Sequence, residues 1–240
     1  MQSNSIFYFL IAFLGVSESL IAQTSTFEGR VEYEVRNLQA TTEYAKYVDS
    51  AYIKHIKVDF PQIHYYKGKK MRVDVALVKS SKASVSMTVI FDGEGNSYNL
   101  LEKITTASGG DPTKLDQKNI VRCYYIKKEE PGMVTPSVEL EGITDKVILG
   151  HICSRAFVTN DIGTEMIVFY SEYVKRRGSG AMGQLPGFPL KIITPSMSGM
   201  YAELTVLKIE EKKLNADVFQ PTGYKLVSEV EYIRILNSKH

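Results

Sequence analysis

Apolar and polar residues alternate one for one through Phe27-Glu-Gly-Arg-Val-Glu-Tyr-Glu-Val35, so that Val31, Tyr33 and Val35 share one side and Arg30, Glu32 and Glu34 the other. A period of two belongs to an extended strand that is wet on one face, and no helix can use it. The pattern returns. Ile63 to Val78 reads as a hairpin about Lys67-Gly68-Lys69-Lys70, with Met71, Val73, Val75 and Leu77 on one face of its second arm. Val85 to Leu101 repeats the design around Asp92-Gly93-Glu94-Gly95, and Asp-Gly between apolar runs is a strong hairpin signal. Strands are expected at 119–127 and 146–158, with a Pro- and Gly-containing connection over 129–145 between them. A further hairpin turns at Asn160-Asp-Ile-Gly163 into 164–174, and the alternating stretch Tyr201 to Ile209 closes the sheet. About nine strands with short turns make an antiparallel meander the economical topology.

Two stretches break that period. From Thr41 to Lys57, residues Tyr44, Tyr47, Val48, Ala51, Tyr52 and His55 fall at three-four spacing, which predicts one amphipathic helix stopped before Pro61. After Tyr224, Ser228 with Glu231 fits a capping box and favours a last helix, although Val230, Tyr232 and Arg234 also alternate. Thr105 to Gln117 is polar and rich in Gly and Ser, as in a loop. The fold class is therefore mainly β within an α+β arrangement, an antiparallel sheet with one or two helices.

Residues 6–16 (IFYFLIAFLGV) form an apolar run shorter than the roughly 20 residues that span a bilayer. It is read as the core of a secretory signal cleaved after Ala22, leaving residues 23–240 as a single periplasmic or secreted domain without a transmembrane span. The first cysteine is Cys123, so no thiol stands by the cleavage point to carry a lipid. Twenty-nine Lys and Arg against 27 Asp and Glu give +2, which becomes +3 once Glu18 is removed with the leader. So small an excess argues against nucleic acid as a partner. The basic clusters Lys67, Lys69, Lys70, Arg72 and Lys175, Arg176, Arg177 are read as solvated hairpin tips.

No motif of chemistry survives a spacing test. Gly178-Ser-Gly-Ala-Met-Gly183 lacks the spacing of a nucleophile elbow, and Asp92-Gly-Glu-Gly-Asn96 lacks the later ligands of a calcium loop. Gly93-x-Gly95 is followed by a strand, not the helix of a dinucleotide site. His151 and Cys153 are two ligands where zinc needs three or four. Neither an enzymatic activity, a cofactor nor a metal is expected. Cys123 and Cys153, on strands expected to be near neighbours, either pair as a disulfide or stay as two buried thiols.

The stretch Gly183-Gln-Leu-Pro-Gly-Phe-Pro-Leu-Lys-Ile192 follows Ile148-Leu-Gly-His-Ile-Cys-Ser-Arg-Ala-Phe157 and Met166-Ile-Val-Phe-Tyr-Ser171, and Phe219-Gln-Pro-Thr-Gly-Tyr224 comes after the last strand. That order, over about residues 27 to 226, resembles the secreted bacterial GLPGLI family and related periplasmic domains similar to the lipoprotein carriers, with Phe169, Gln184 and Phe188 departing from its usual Trp, Gly and Leu. The resemblance implies a curved half-barrel wrapped over helix, its apolar concavity able to hold acyl chains. Pro186-Gly187 supplies a turn, with Gly free to take positive φ, and presents Leu185, Phe188 and Leu190 on a stiff frame. These three either cap the sheet as core or, with Tyr44, Tyr47 and Tyr52, line a ligand groove. The function so implied is non-enzymatic binding of a lipid or lipoprotein acyl chain; the alternative is an envelope structural or protein-interaction module.

Overall fold

In the computed structural model, which describes residues 27–38, 61–79, 83–106, 118–128, 135–160, 163–174, 184–195 and 201–238, the alternating segments pair into one sheet. In chain order they are β1 (Glu28–Leu38), β2 (Gln62–Lys67), β3 (Lys70–Lys79), β4 (Ala83–Phe91), β5 (Asn96–Thr106), β6 (Lys118–Lys128), β7 (Ser137–Ile148), β8 (His151–Thr159), β9 (Glu165–Ser171), β10 (Phe188–Pro195), β11 (Tyr201–Glu211) and β12 (Lys225–Leu226), followed by α1 (Glu229–Asn237). A 3-10 turn, Ala216–Phe219, precedes β12. The sheet order is β12-β6-β5-β4-β3-β2-β1-β11-β10-β9-β8-β7. It is two meanders laid side by side, β1 to β6 and β7 to β11, joined where β1 pairs antiparallel with β11. Only β12 runs parallel to its neighbour, β6.

The mainly β class is observed, and among the described residues α1 is the single α-helix. The leader over 1–22 and the helix expected over 41–57, with Tyr44, Tyr47 and Tyr52, lie outside the described residues. Several expectations need correction. The connection placed over 129–145 contains most of β7, and the strand placed over 146–158 is the end of β7, a turn at Leu149-Gly150, and β8. Phe188 and Leu190, expected on the frame of a turn, belong to a full strand over 188–195. Tyr201–Glu211 does not close the sheet but sits at its centre. Cys123 on β6 and Cys153 on β8 are separated by eight strands, and both are buried free thiols.

The sheet cannot be flat. Flat, the ten strand steps from β6 to β7 would span about 48 Å at 4.8 Å each, whereas nine residue steps from Lys128 to Ser137 reach at most about 31 Å. The connection therefore forces the two ends of the sheet toward each other, and the result is a curved sheet that stops short of closing.

One face carries the main core: Val31, Tyr33 and Val35 of β1, Met71, Val73 and Val75 of β3, Met87, Val89 and Phe91 of β4, Val168 and Tyr170 of β9, Leu204 and Val206 of β11. Each fully buried Val or Leu contributes about 1.5–3 kcal/mol before the entropy of ordering is subtracted. The other face of β4 and β5 has a smaller core, Ile90 and Leu100, roofed by Leu214 and Phe219. Charged residues latch this roof. Lys67 Nζ donates to Leu214 O at 2.6 Å, Glu28 Oε1 accepts from Leu214 N at 2.5 Å, and Arg72 donates to Val218 O at 3.0 Å. Lys67 and Arg72, read from sequence as solvated tips, are thus bound to the segment that follows β11.

The N-cap half of the box at Ser228 forms, with Ser228 Oγ accepting from Glu231 N at 3.2 Å, while the Glu231 carboxylate pairs with Arg234. The cap starts α1, which drops Tyr232 into the main core, its ring edge-on to Tyr125 at 4.8 Å. Lys103 of β5 holds the other end of the helix, donating to Ile235 O at 3.2 Å and Ser238 O at 2.7 Å. A cation against the last carbonyls suits the negative end of the helix. Burial pushes the Lys103 ammonium down from its ordinary value.

Candidate functional site

The expected groove residues that the structure describes lie in the main core. Leu185, Phe188 and Leu190 are 2%, 1% and 0% exposed, and Phe188 meets Phe27 and Tyr66 edge-on, both at 6.4 Å. Of the two outcomes left open by the sequence, this is the packing of core. Gly187 does not serve the turn through positive φ, which it does not adopt. Its role is close approach, because a Cβ there would lie 2.3 Å from the Ser171 carbonyl oxygen.

Ser171 itself is buried, and among the described residues its hydroxyl has no hydrogen-bond partner. A buried hydroxyl without a partner costs about 1–3 kcal/mol in lost hydration. Ser171→Ala is therefore expected to leave stability unchanged or raise it by about 1 kcal/mol; a fall in the urea midpoint would mean that the hydroxyl has a partner in solution.

Within the apolar face runs one polar chain. The Tyr33 hydroxyl donates to that of Tyr66, the Tyr66 hydroxyl lies 3.1 Å from His64 Nδ1, and His64 Nε2 lies 3.0 Å from Gln62 Oε1. Gln62, His64 and Tyr66 are alternate residues of β2, so one strand face delivers all three, and Tyr33 reaches them from β1 with its ring 4.5 Å from the imidazole. The contacts are all satisfied by a neutral imidazole that accepts at Nδ1 and donates at Nε2. Burial pushes Tyr66 up to about 12 and holds His64 down at about 3. At neutral pH every member is uncharged, so the chain positions polar groups without placing a charge in the core. Period-two spacing alone could have flagged Gln62-x-His64-x-Tyr66, but its burial depends on the β1–β2 pairing.

The pH consequence has a definite sign. In the unfolded chain His64 titrates near about 6.5, while in the fold it stays neutral down to about 3, so the unfolded state takes up the proton first. The stability from a neutral His64 is complete above about pH 6.5 and drains as pH falls toward 3, by at most about 1.4 kcal/mol per pH unit, since the ring is half-buried and water screens part of the effect. His64→Gln should flatten that part of the pH profile relative to the parent chain; identical slopes between pH 6.5 and 4 would show that the imidazole is solvated.

The core face reaches solvent at the two ends of the sheet. On β7, Leu140 pairs with Ala156 and Ile143 with Ser154, which puts both on the face of the core, yet they are 53% and 84% exposed. On β6, Val121 shares the face of Cys123 and is 39% exposed. Among the described residues no strand joins β7 to β12 or β6. The apolar interior thus has two apolar lips along an unclosed edge, a feature set by strand order and invisible to local pattern. Among the described residues no helix is long and apolar enough to cross a membrane, and no cluster of three His, Cys, Asp or Glu could hold a metal ion.

No family model matches the chain, and no curated protein matches it. Among solved structures, one titled "Structure of PNGF-II in C2 space group" aligns over 87% of this chain and 32% of its own length, at 11% identity and a TM-score of 0.37. This chain therefore spans about a third of the length of that neighbour.

Proposed function

We propose that the protein is a non-enzymatic binding protein whose curved sheet takes the acyl chain of a lipid or lipoprotein between its free edges. One observation carries this reading: Leu140, Ile143 and Val121 belong to the core-facing side and yet remain exposed at the unclosed edge. An exposed apolar surface continuous with a buried one marks a binding site more often than a packing fault. The order of motifs shared with the GLPGLI family and the lipoprotein-carrier-like domains supports the same ligand class and an address outside the cytoplasm. Organic extraction of the purified protein followed by mass spectrometry should release an amphiphile. Leu140→Lys with Ile143→Lys should lower its yield about tenfold without unfolding the sheet, because both sites already face water. A clean extract from the parent chain, or equal yields from parent and variant, would remove the proposal.

A further inference from the structure

A second apolar feature lies at one tip of the sheet. The β7–β8 hairpin closes on the two-residue turn Leu149-Gly150, both at positive φ, +50° and +78°. Such a turn favours Asn-Gly, and a bulky apolar residue in the left-handed region is strained. Leu149 is nevertheless present, 46% exposed, beside Val147 and Ile152, which oppose each other across the strands at 58% and 55% exposed. Strand β9 pairs with β8 only from Ser154 onward, so these residues project beyond the sheet. At the same end, two residues past β9, Tyr173 is 80% exposed.

We propose that this tip, Val147, Leu149 and Ile152, docks the protein onto a zwitterionic lipid surface. Three properties favour that occupant. The pairs Val147↔Ile152 and Ile148↔His151 carry the ladder up to the turn, so the backbone groups that face across the hairpin are paired, and a tip seated only at the headgroup boundary leaves the outward-facing groups within reach of water. Asp145 and Lys146 cancel in charge, so this end of the hairpin carries no net charge that would call for an anionic surface. They stand three to four residues behind Leu149, roughly 10–13 Å at strand rise, which is headgroup level when a tip is seated to the shallow depth of an interfacial element. Tyr173 suits the same interface, with an apolar ring and a polar end. This site is separate from the edge proposed to hold an acyl chain, and a clean lipid extract leaves it standing.

The chain has no tryptophan, so one introduced indole is an unambiguous reporter. With phosphatidylcholine vesicles, the full chain carrying Ile152→Trp should shift its emission to the blue and be quenched by bromine-labelled acyl chains. The same reporter at Glu165→Trp, at the opposite end of β9, should do neither. Adding Leu149→Asn, which supplies the residue the turn prefers and so preserves the fold, should raise the lipid concentration for half-binding at least tenfold. An indole at 152 that is neither shifted nor quenched, or equal binding with and without Leu149→Asn, overturns the proposal. A blue shift that needs no vesicles and grows with protein concentration also overturns it, by naming a second copy as the occupant.

Discussion

Phe188→Ala is expected to destabilise the fold by about 3–5 kcal/mol, the usual cost of cutting a buried aromatic to a methyl. The ring is 1% exposed and sits edge-on to both Phe27 and Tyr66, so truncation opens a cavity between β1, β2 and β10 that stiff strands cannot collapse to fill. Against a typical domain stability of about 5–15 kcal/mol, that loss is visible as a large fall in the urea midpoint. Phe188→Leu should recover most of it. The experiment also decides between the two roles that sequence left open. A groove-lining ring facing solvent would cost under about 1 kcal/mol, and such a result would reassign Phe188 from core to site.

Gly187→Ala is expected to cost about 3 kcal/mol or more, for a different reason. The added carbon would stand 2.3 Å from Ser171 O, 2.5 Å from Ser171 C and 2.7 Å from Glu172 N, all backbone atoms. No rotamer relieves a backbone clash, so β10 must shift away from β9 along the pairing that begins at Phe188↔Ser171. Gly68→Ala is the control. At φ +57° but with nothing within 4 Å of the added carbon, it should cost only about 1 kcal/mol. Equal midpoints for the two variants would mean that left-handed backbone, not close approach, is what glycine provides at 187.

Local pattern revealed the elements that keep one face dry and one wet. β1 and β3 alternate because the sheet there separates core from solvent, β4 and β5 follow suit until Ile90 and Leu100 turn to the second core, and Asp92-Gly93 and Lys67-Gly68 mark turns with residues whose chemistry is local. The cap at Ser228 was legible for the same reason. β7 was not, because an edge strand exposed on both faces loses the period, and Gly142 among charged residues looks like loop. β10 failed in the opposite sense, being buried on both faces. The turn at 149–150 was hidden by a leucine where Asn is the usual signal. The disulfide expectation rested on β6 and β8 being neighbours, which nothing local can decide: strand order is a long-range property. The apolar lips share that origin. Leu140 and Ile143 read as ordinary strand residues until the sheet order leaves them at an edge.

The described residues form a single sheet seamed at β1–β11 and left open at β7. Residue-resolved hydrogen exchange of the folded protein tests it most directly. Slow exchange is expected at the β1 and β11 amides that bond across the seam, and fast exchange at those β7 amides that point away from β8. Protection of every β7 amide, or rapid exchange along the β1–β11 seam, would contradict it.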